Sequence, residues 1–244
     1  MKRALRFALL AGCSLAAGCG GDDEGAAPLT ISAAASLQGP LTECAGDGTR
    51  LQFAGSDELA AQIRQGAPVD VLAAANTAIP DGLAGEDLLE TPVRFASNQL
   101  VIAVPADGDV RGLDDLRADG VRLVIGGEGV PVGDYTRTVL GKLPPEQGDA
   151  ILANVRSEEP DVKGVVGKLA QGAADAGFVY ATDVRAAGED LRAIELPAAL
   201  EPVATYGAGV VAGSDHAERA REFVDGLVGG PCHDVLIAAG FGEP

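Results

Sequence analysis

The stretch "FAGSDELAAQIRQGAPVDVLAAAN", Phe53 to Asn76, decides how the chain is read. An apolar strand end closes at Ala54-Gly55, and Ser56 stands where a helix begins. Leu59, Ala60 and Ile63 follow at helical spacing. Gly66 suits the left-handed position past the helix end, and Pro68 prevents its continuation. "VDVLAAA" (Val69–Ala75) is then nearly all apolar, as a strand buried on both faces of a parallel sheet must be. Ser56 raises a question of its own. A serine at a strand-to-helix junction can cap the helix, or hold an anion at its positive end. Asp57 and Glu58 favour the helix dipole there, but they compete with an anion unless their carboxylates face away from it.

The same alternation runs outward along the chain. "LTISAAASL" (Leu29–Leu37) is a strand entering a turn and a helix that Gly39-Pro40 interrupts, and "TRLQFAG" is a second strand. "QLVIAVP" (Gln99–Pro105) is a strong strand, after which a second set of elements begins. It comprises an "LDDLR" helix, a "VRLVIGG" strand, a "GDYTRTVLGKL" helix and the Asp161–Gly172 helix with Val162, Val165, Val166 and Leu169 on one face. The "DAGFVYATDV" strand ends at Tyr180, and Thr205–Gly213 returns as a strand. Two helices, "HAERAREFVDGLVG" and "PCHDVLIAAG", close the chain. The strands Gln99–Pro105 and Thr205–Gly213 bracket a unit of roughly a hundred residues, which predicts two α/β lobes joined by two connecting strands. We place lobe 1 at residues 29–102 with 207–244, and lobe 2 at 103–206.

The chain carries 18 Lys and Arg against 36 Asp and Glu, a formal charge of −18. No basic stripe is present to neutralise phosphates, which argues against nucleic acid as a partner. The balance argues against long-range steering of an anion as well, so an anion site here has to work through local, aimed donors. Lys2 and Arg3 precede an apolar stretch that is too short to span a bilayer, and residues 1–18 read as a signal peptide. Ala16, Ala17 and Gly18 before Cys19 fit a lipoprotein signal, with Cys19 acylated and residues 19–28 a flexible tether. Processing at Cys13, or plain secretion with cleavage near Ala26 or Ala27, are the alternatives. Of the four cysteines, Cys44 and Cys232 then remain as a candidate disulfide in an oxidising compartment, the alternative being two buried thiols.

Little in the chain points to catalysis. The two histidines, His216 and His233, lie at no metal-ligand spacing, and no nucleophile elbow is present. "IGGEGVPVG" (Ile125–Gly133) lacks both the Lys-Ser/Thr of a P-loop and the GxGxxG spacing. An enzyme using Ser36 or Ser56 as nucleophile needs a histidine partner, and both histidines are far along the chain. What recurs is a junction: strands end in small residues and hand over to helices at Ser36, at Ser56, near Val132 and near Val162. Each presents free backbone N–H groups and the positive end of a helix. Taken singly, each serine is as well explained by capping, and every α/β sheet has such junctions.

"AAASL" (Ala33–Leu37), the Phe53–Asn76 stretch, "GVPVGDYTRTVL" and "GFVYATD" (Gly177–Asp183) occur in one order, which resembles the molybdate-binding proteins of bacterial ABC importers. The resemblance extends from Leu29 to the closing "AAGF" at Ala238–Phe241. It implies a class II periplasmic-type binding protein of two α/β lobes, with the oxyanion clamped between them, and no enzyme. It assigns Ser36 and Ser56 as hydroxyl and N–H donors, Val132 and Val162 as backbone N–H donors, and Tyr180 as a phenol donor. Molybdenum is then held as an oxyanion, molybdate or tungstate, without direct metal coordination and without a cofactor. The implied partner is an ABC permease, and the implied state is a monomer anchored outside the cell membrane through Cys19. A protein of the same fold for another small anion, such as sulfate, is the second expectation. One departure from the family pattern is the short segment between Ser36 and Ser56 that contains Cys44; a Cys44–Cys232 bridge would compensate for its clipped helix.

Overall fold

The computed structural model describes residues 27–197, 199–200 and 203–244. The signal peptide, Cys19 and most of the tether lie outside the described residues. Strand β1 (Leu29–Ala34) is buried except at Thr30, and a 3-10 turn, Ala35–Leu37, leads into helix α1 (Gln38–Cys44). Gly39-Pro40 does not interrupt that helix. Both fall in its first turn, where proline's missing N–H loses no intrahelical bond. Strand β2 (Thr49–Ala54) runs parallel to β1, in register from Leu29↔Thr49 to Ala34↔Ala54.

Helix α2 (Ser56–Arg64) buries Leu59, Ala60 and Ile63, the face its spacing predicts. Its end is closed by Gly66 at φ +81°, with Ala67 N–H donating to the Gln62 carbonyl at 3.0 Å. Strand β3 (Val71–Ala74) is wholly buried and parallel to β1. Helix α3 (Ala78–Gly85), which contains Pro80 and Gly82, escapes sequence reading. It presses Leu83 into a small core with Leu59, Ile63, Val69 and Leu72.

Strand β4 (Val93–Pro105) begins before Gln99 and is 13 residues long. Leu113–Arg117 is a 3-10 turn in place of the expected α-helix. Then come β5 (Leu123–Gly126), α4 (Pro131–Leu140), α5 (Pro145–Leu152), β6 (Val155–Glu159), α6 (Val162–Ala170), β7 (Ala176–Tyr180) and α7 (Ala181–Ala187). The chain closes with β8 (Leu191–Ile194), β9 (Val203–Val210), α8 (Ala217–Gly229) and α9 (Pro231–Ala239). Strand β6 is a half-exposed edge with sequence VRSEE, so no apolar run announces it.

The strand order is β2-β1-β3-β9-β4-β7-β5-β6, with β8 on β4. From Val93 to Gln99, β4 pairs with β9; from Leu100 to Pro105 it pairs with β7 and β8. Strand β9 in turn pairs with β3 through Gly207–Val210. Parallel β1, β2 and β3 thus form one lobe and parallel β5, β6 and β7 the other, each flanked by helices, with β4 and β9 crossing between them. The carboxyl ends of the parallel strands, and the helix N-termini that follow them, face a shared crevice, where open α/β sheets present their ligand sites. A disulfide between Cys44 and Cys232 joins the end of α1 to the start of α9, Cα to Cα 5.1 Å. No described helix is long and apolar enough to cross a membrane.

Candidate functional site

One cavity in the crevice is lined by all five residues singled out from the sequence: Ser36, Ser56, Val132, Val162 and Tyr180. Small groups complete it, among them Ala34, Ala35, Ala54, Gly55 and Ala75 from the first lobe and Pro131 from the second. The space is narrow, about 20 Å³ for the centres of water-sized spheres. That excludes an organic molecule of cofactor size and leaves room only for a compact ligand.

Each residue reaches the cavity for a local reason. Ser56 is the first residue of α2, and Gly55 holds the N-cap position; the serine side chain makes no cap bond. Its oxygen instead accepts the Ala75 N–H at 3.1 Å, which leaves its own proton free to donate. Ser36 lies in the 3-10 turn after β1, its Oγ 2.9 Å from the Tyr206 phenol oxygen. In α4, Pro131 occupies the first position and has no N–H, so Val132 supplies the helix's first donor. Gly133 lets that turn sit on the end of β5, since a Cβ there would overlap the carbonyl oxygens of Gly126 and Gly127. Val162 opens α6, where the Asp161 carboxylate accepts the Gly164 N–H at 2.9 Å and is thereby engaged with the helix it caps.

Tyr180, the last residue of β7, is 1% exposed, and its hydroxyl has no hydrogen-bond partner among the described residues. Burial, and then the neighbouring Tyr206 and Tyr135 phenols, raise its pKa well above the ordinary value, so it stays protonated and is available as a donor. No lysine or arginine lines the cavity. Lys163, next to Val162, pairs at 2.9 Å with the buried Asp183. Apart from Asp161, whose carboxylate is engaged with the Gly164 N–H, the lining offers hydroxyls, backbone N–H groups and helix N-termini, a set suited to a small anion that brings no proton. Glu58 is exposed and accepts from Gln62 at 3.2 Å. Asp57 is not among the lining residues, but neither does it turn fully to solvent: its Oδ1 is buried without a partner.

The histidines lie elsewhere. His216 Nδ1 is 3.2 Å from Asp70 Oδ1, and His233 Nε2 is 3.4 Å from Glu243, so neither meets Ser36 or Ser56. Tyr206 and Asn98 are the residues near the site that sequence reasoning missed. Both sit inside apolar strands and carried no separate signal.

A family model described as bacterial extracellular solute-binding protein matches residues 29–242. The chain belongs to that family. This solute-binding protein is 34% identical to the molybdate-binding protein ModA of Mycobacterium tuberculosis, over 92% of this chain and 88% of the relative. Among solved structures it resembles the substrate binding domain of a putative molybdenum ABC transporter from Clostridium difficile, with TM-score 0.65 and 28% identity, covering 89% of this chain and 99% of that one. The Azotobacter vinelandii periplasmic molybdate-binding protein shares the fold at TM-score 0.75 and 22% identity, covering 88% and 99%. The solute-binding protein therefore has the two-lobe periplasmic-binding-protein architecture, with β4 and β9 as its crossover strands.

Proposed function

We propose that this solute-binding protein captures molybdate, and also tungstate, between its lobes and delivers it to the permease of an ABC importer. The observation that carries the reading is the buried, unpartnered Tyr180 phenol facing a cavity shared with Ser36, Ser56 and the first N–H groups of α4 and α6. A buried donor left unpaired costs about 1–3 kcal/mol, and an oxyanion oxygen at that point offsets it. Molybdate is doubly charged and proton-free at neutral pH, so it accepts from every one of these donors. A protonated phosphate would set donor against donor. The relatives that bear molybdate or molybdenum in their names support the same ligand class.

In this reading residues 1–18 are removed, Cys19 carries the lipid anchor on the outer face of the membrane, and residues 19–28 form the tether. The protein works as a monomer, with residues 29–102 and 207–244 moving as one lobe against 103–206. Calorimetric titration of the purified protein with molybdate, tungstate, sulfate and phosphate tests the assignment. Molybdate and tungstate are expected to bind far more tightly than phosphate. Binding of all four no tighter than about millimolar, roughly 4 kcal/mol, would end the proposal, and a preference for sulfate would move it to that ligand.

A further inference from the structure

Three buried side chains connect the crossover strands to the cavity. Asn98 Oδ1 on β4 accepts the Gln99 backbone N–H at 2.9 Å. A backbone N–H can only donate, so this contact fixes which end of the amide is oxygen and turns Nδ2 inward. Nδ2 has only hydrogens to offer. It donates to Thr182 Oγ1 at 2.8 Å, and the Asn98 amide also hydrogen-bonds the Tyr206 phenol. The Tyr206 oxygen lies 2.9 Å from Ser36 Oγ. A Tyr206 oxygen that accepts from Asn98 still has its proton to place, and Ser36 Oγ is an acceptor within hydrogen-bond distance. A bond in that direction leaves Ser36 its own proton for the cavity.

We infer that Tyr206, oriented by Asn98, is a positioning residue that donates to Ser36 and so aims the Ser36 proton at the bound oxyanion, which discriminates against ligands that carry a proton. The inference rests on reading the crevice as an oxyanion site. Ser56 is held in the same sense by different means, because the Ala75 N–H occupies its oxygen. The Ser56 device is backbone; the Ser36 device is a side chain, and substitution reaches it.

The test is a double-mutant cycle in the intact protein, titrated with molybdate and with phosphate at one pH. Tyr206→Phe is expected to weaken molybdate binding about three- to tenfold, the value of one hydrogen bond, and to narrow the molybdate-to-phosphate ratio, since the Ser36 hydroxyl is then free to rotate and accept a ligand proton. In the Ser36→Ala background, adding Tyr206→Phe is expected to change molybdate affinity less than about twofold. Additive losses in the double variant, or an unchanged ligand ratio in Tyr206→Phe, overturn the inference. Asn98→Asp is the second probe: it gives the phenol an acceptor, reverses the line of hydrogen bonds, and is expected to narrow the same ratio. If Tyr206→Phe does not fold, an unchanged ratio in Asn98→Asp overturns the inference by itself. The two readings also fail differently. An unsubstituted protein that binds no oxyanion removes the oxyanion site and this inference together, whereas tight binding with additive losses removes only the role of Tyr206.

Discussion

Ser56 Oγ accepts the Ala75 backbone N–H at 3.1 Å, joining the first residue of α2 to the residue that follows β3. One side chain thereby ties two strand ends together and still has a proton for the cavity. Ser56→Ala removes both functions. It leaves the Ala75 N–H without its partner, and is expected to lower stability by about 1–3 kcal/mol and to weaken molybdate binding about tenfold or more. Thermal melts and calorimetry on the folded variant measure the two effects. A lowered Tm with unchanged affinity would assign Ser56 a structural role alone.

Tyr180→Phe separates stability from binding in the opposite direction. The phenol hydroxyl is buried and unpartnered among the described residues, so its removal relieves the unliganded fold. Tm without ligand is expected to hold or rise, while molybdate affinity falls about tenfold or more, as for a hydrogen bond to a charged group. A drop in ligand-free Tm with affinity intact would contradict the assignment of Tyr180 as a ligand donor.

Gly55 tests closure of the lobes. Its φ of −59° and ψ of 138° suit alanine, so the first lobe tolerates the change. A Cβ there would overlap the Pro160 carbonyl oxygen of the second lobe and lie 2.8 Å from Asp57 Oδ1. Gly55→Ala is expected to fold with little change in Tm and to lose about tenfold in affinity, the scale of overpacking a tight contact. Small-angle scattering should show molybdate compacting the parent protein but not the variant. Equal compaction in both would show that the lobes close by another path.

Asp70 sets a pH-dependent contribution. It is 7% exposed and accepts from the Thr30 N–H at 2.7 Å, Ser214 Oγ at 2.6 Å and His216 Nδ1 at 3.2 Å. Burial raises its pKa, but the hydrogen bonds from Ser214, the Thr30 N–H and His216 together outweigh burial and hold it below the ordinary 3.8. A carboxyl with a depressed pKa stabilises the fold above its unfolded pKa, and that stabilisation is lost as pH falls through the folded value. Asp70→Asn is therefore expected to cost about 1–3 kcal/mol at pH 7, with the difference from the parent shrinking below roughly pH 4. Melts at neutral and acid pH decide the matter, and a gap that does not change with pH would rule out the carboxylate charge as its source.

Much of this architecture was legible along the chain. Apolar runs as short as Val69–Ala75, bounded by a breaker such as Pro68, read as strands covered on both faces, and the Gly66–Pro68 stop marks a helix end by backbone sterics alone. Elements whose stability comes from what packs on them were not legible: edge strand β6, whose charged VRSEE carries no apolar run, and the seven-residue α7, which follows the strand end at Tyr180 without a helical pattern of its own. The site divides in the same way. The sequence by itself determined where donors stand, at the junctions of Ser36, Ser56, Val132 and Val162 and at the end of the Tyr180 strand, because junction chemistry and the family resemblance are local properties of the chain. Only the tertiary structure decided what those donors are free to do. Ser56 proved to be the first helical residue with its oxygen occupied by Ala75, Ser36 met Tyr206 from 170 positions away, and Tyr180 was left without a partner. The direction of a hydrogen bond depends on which group lies within about 3 Å of it, and folding alone sets that distance.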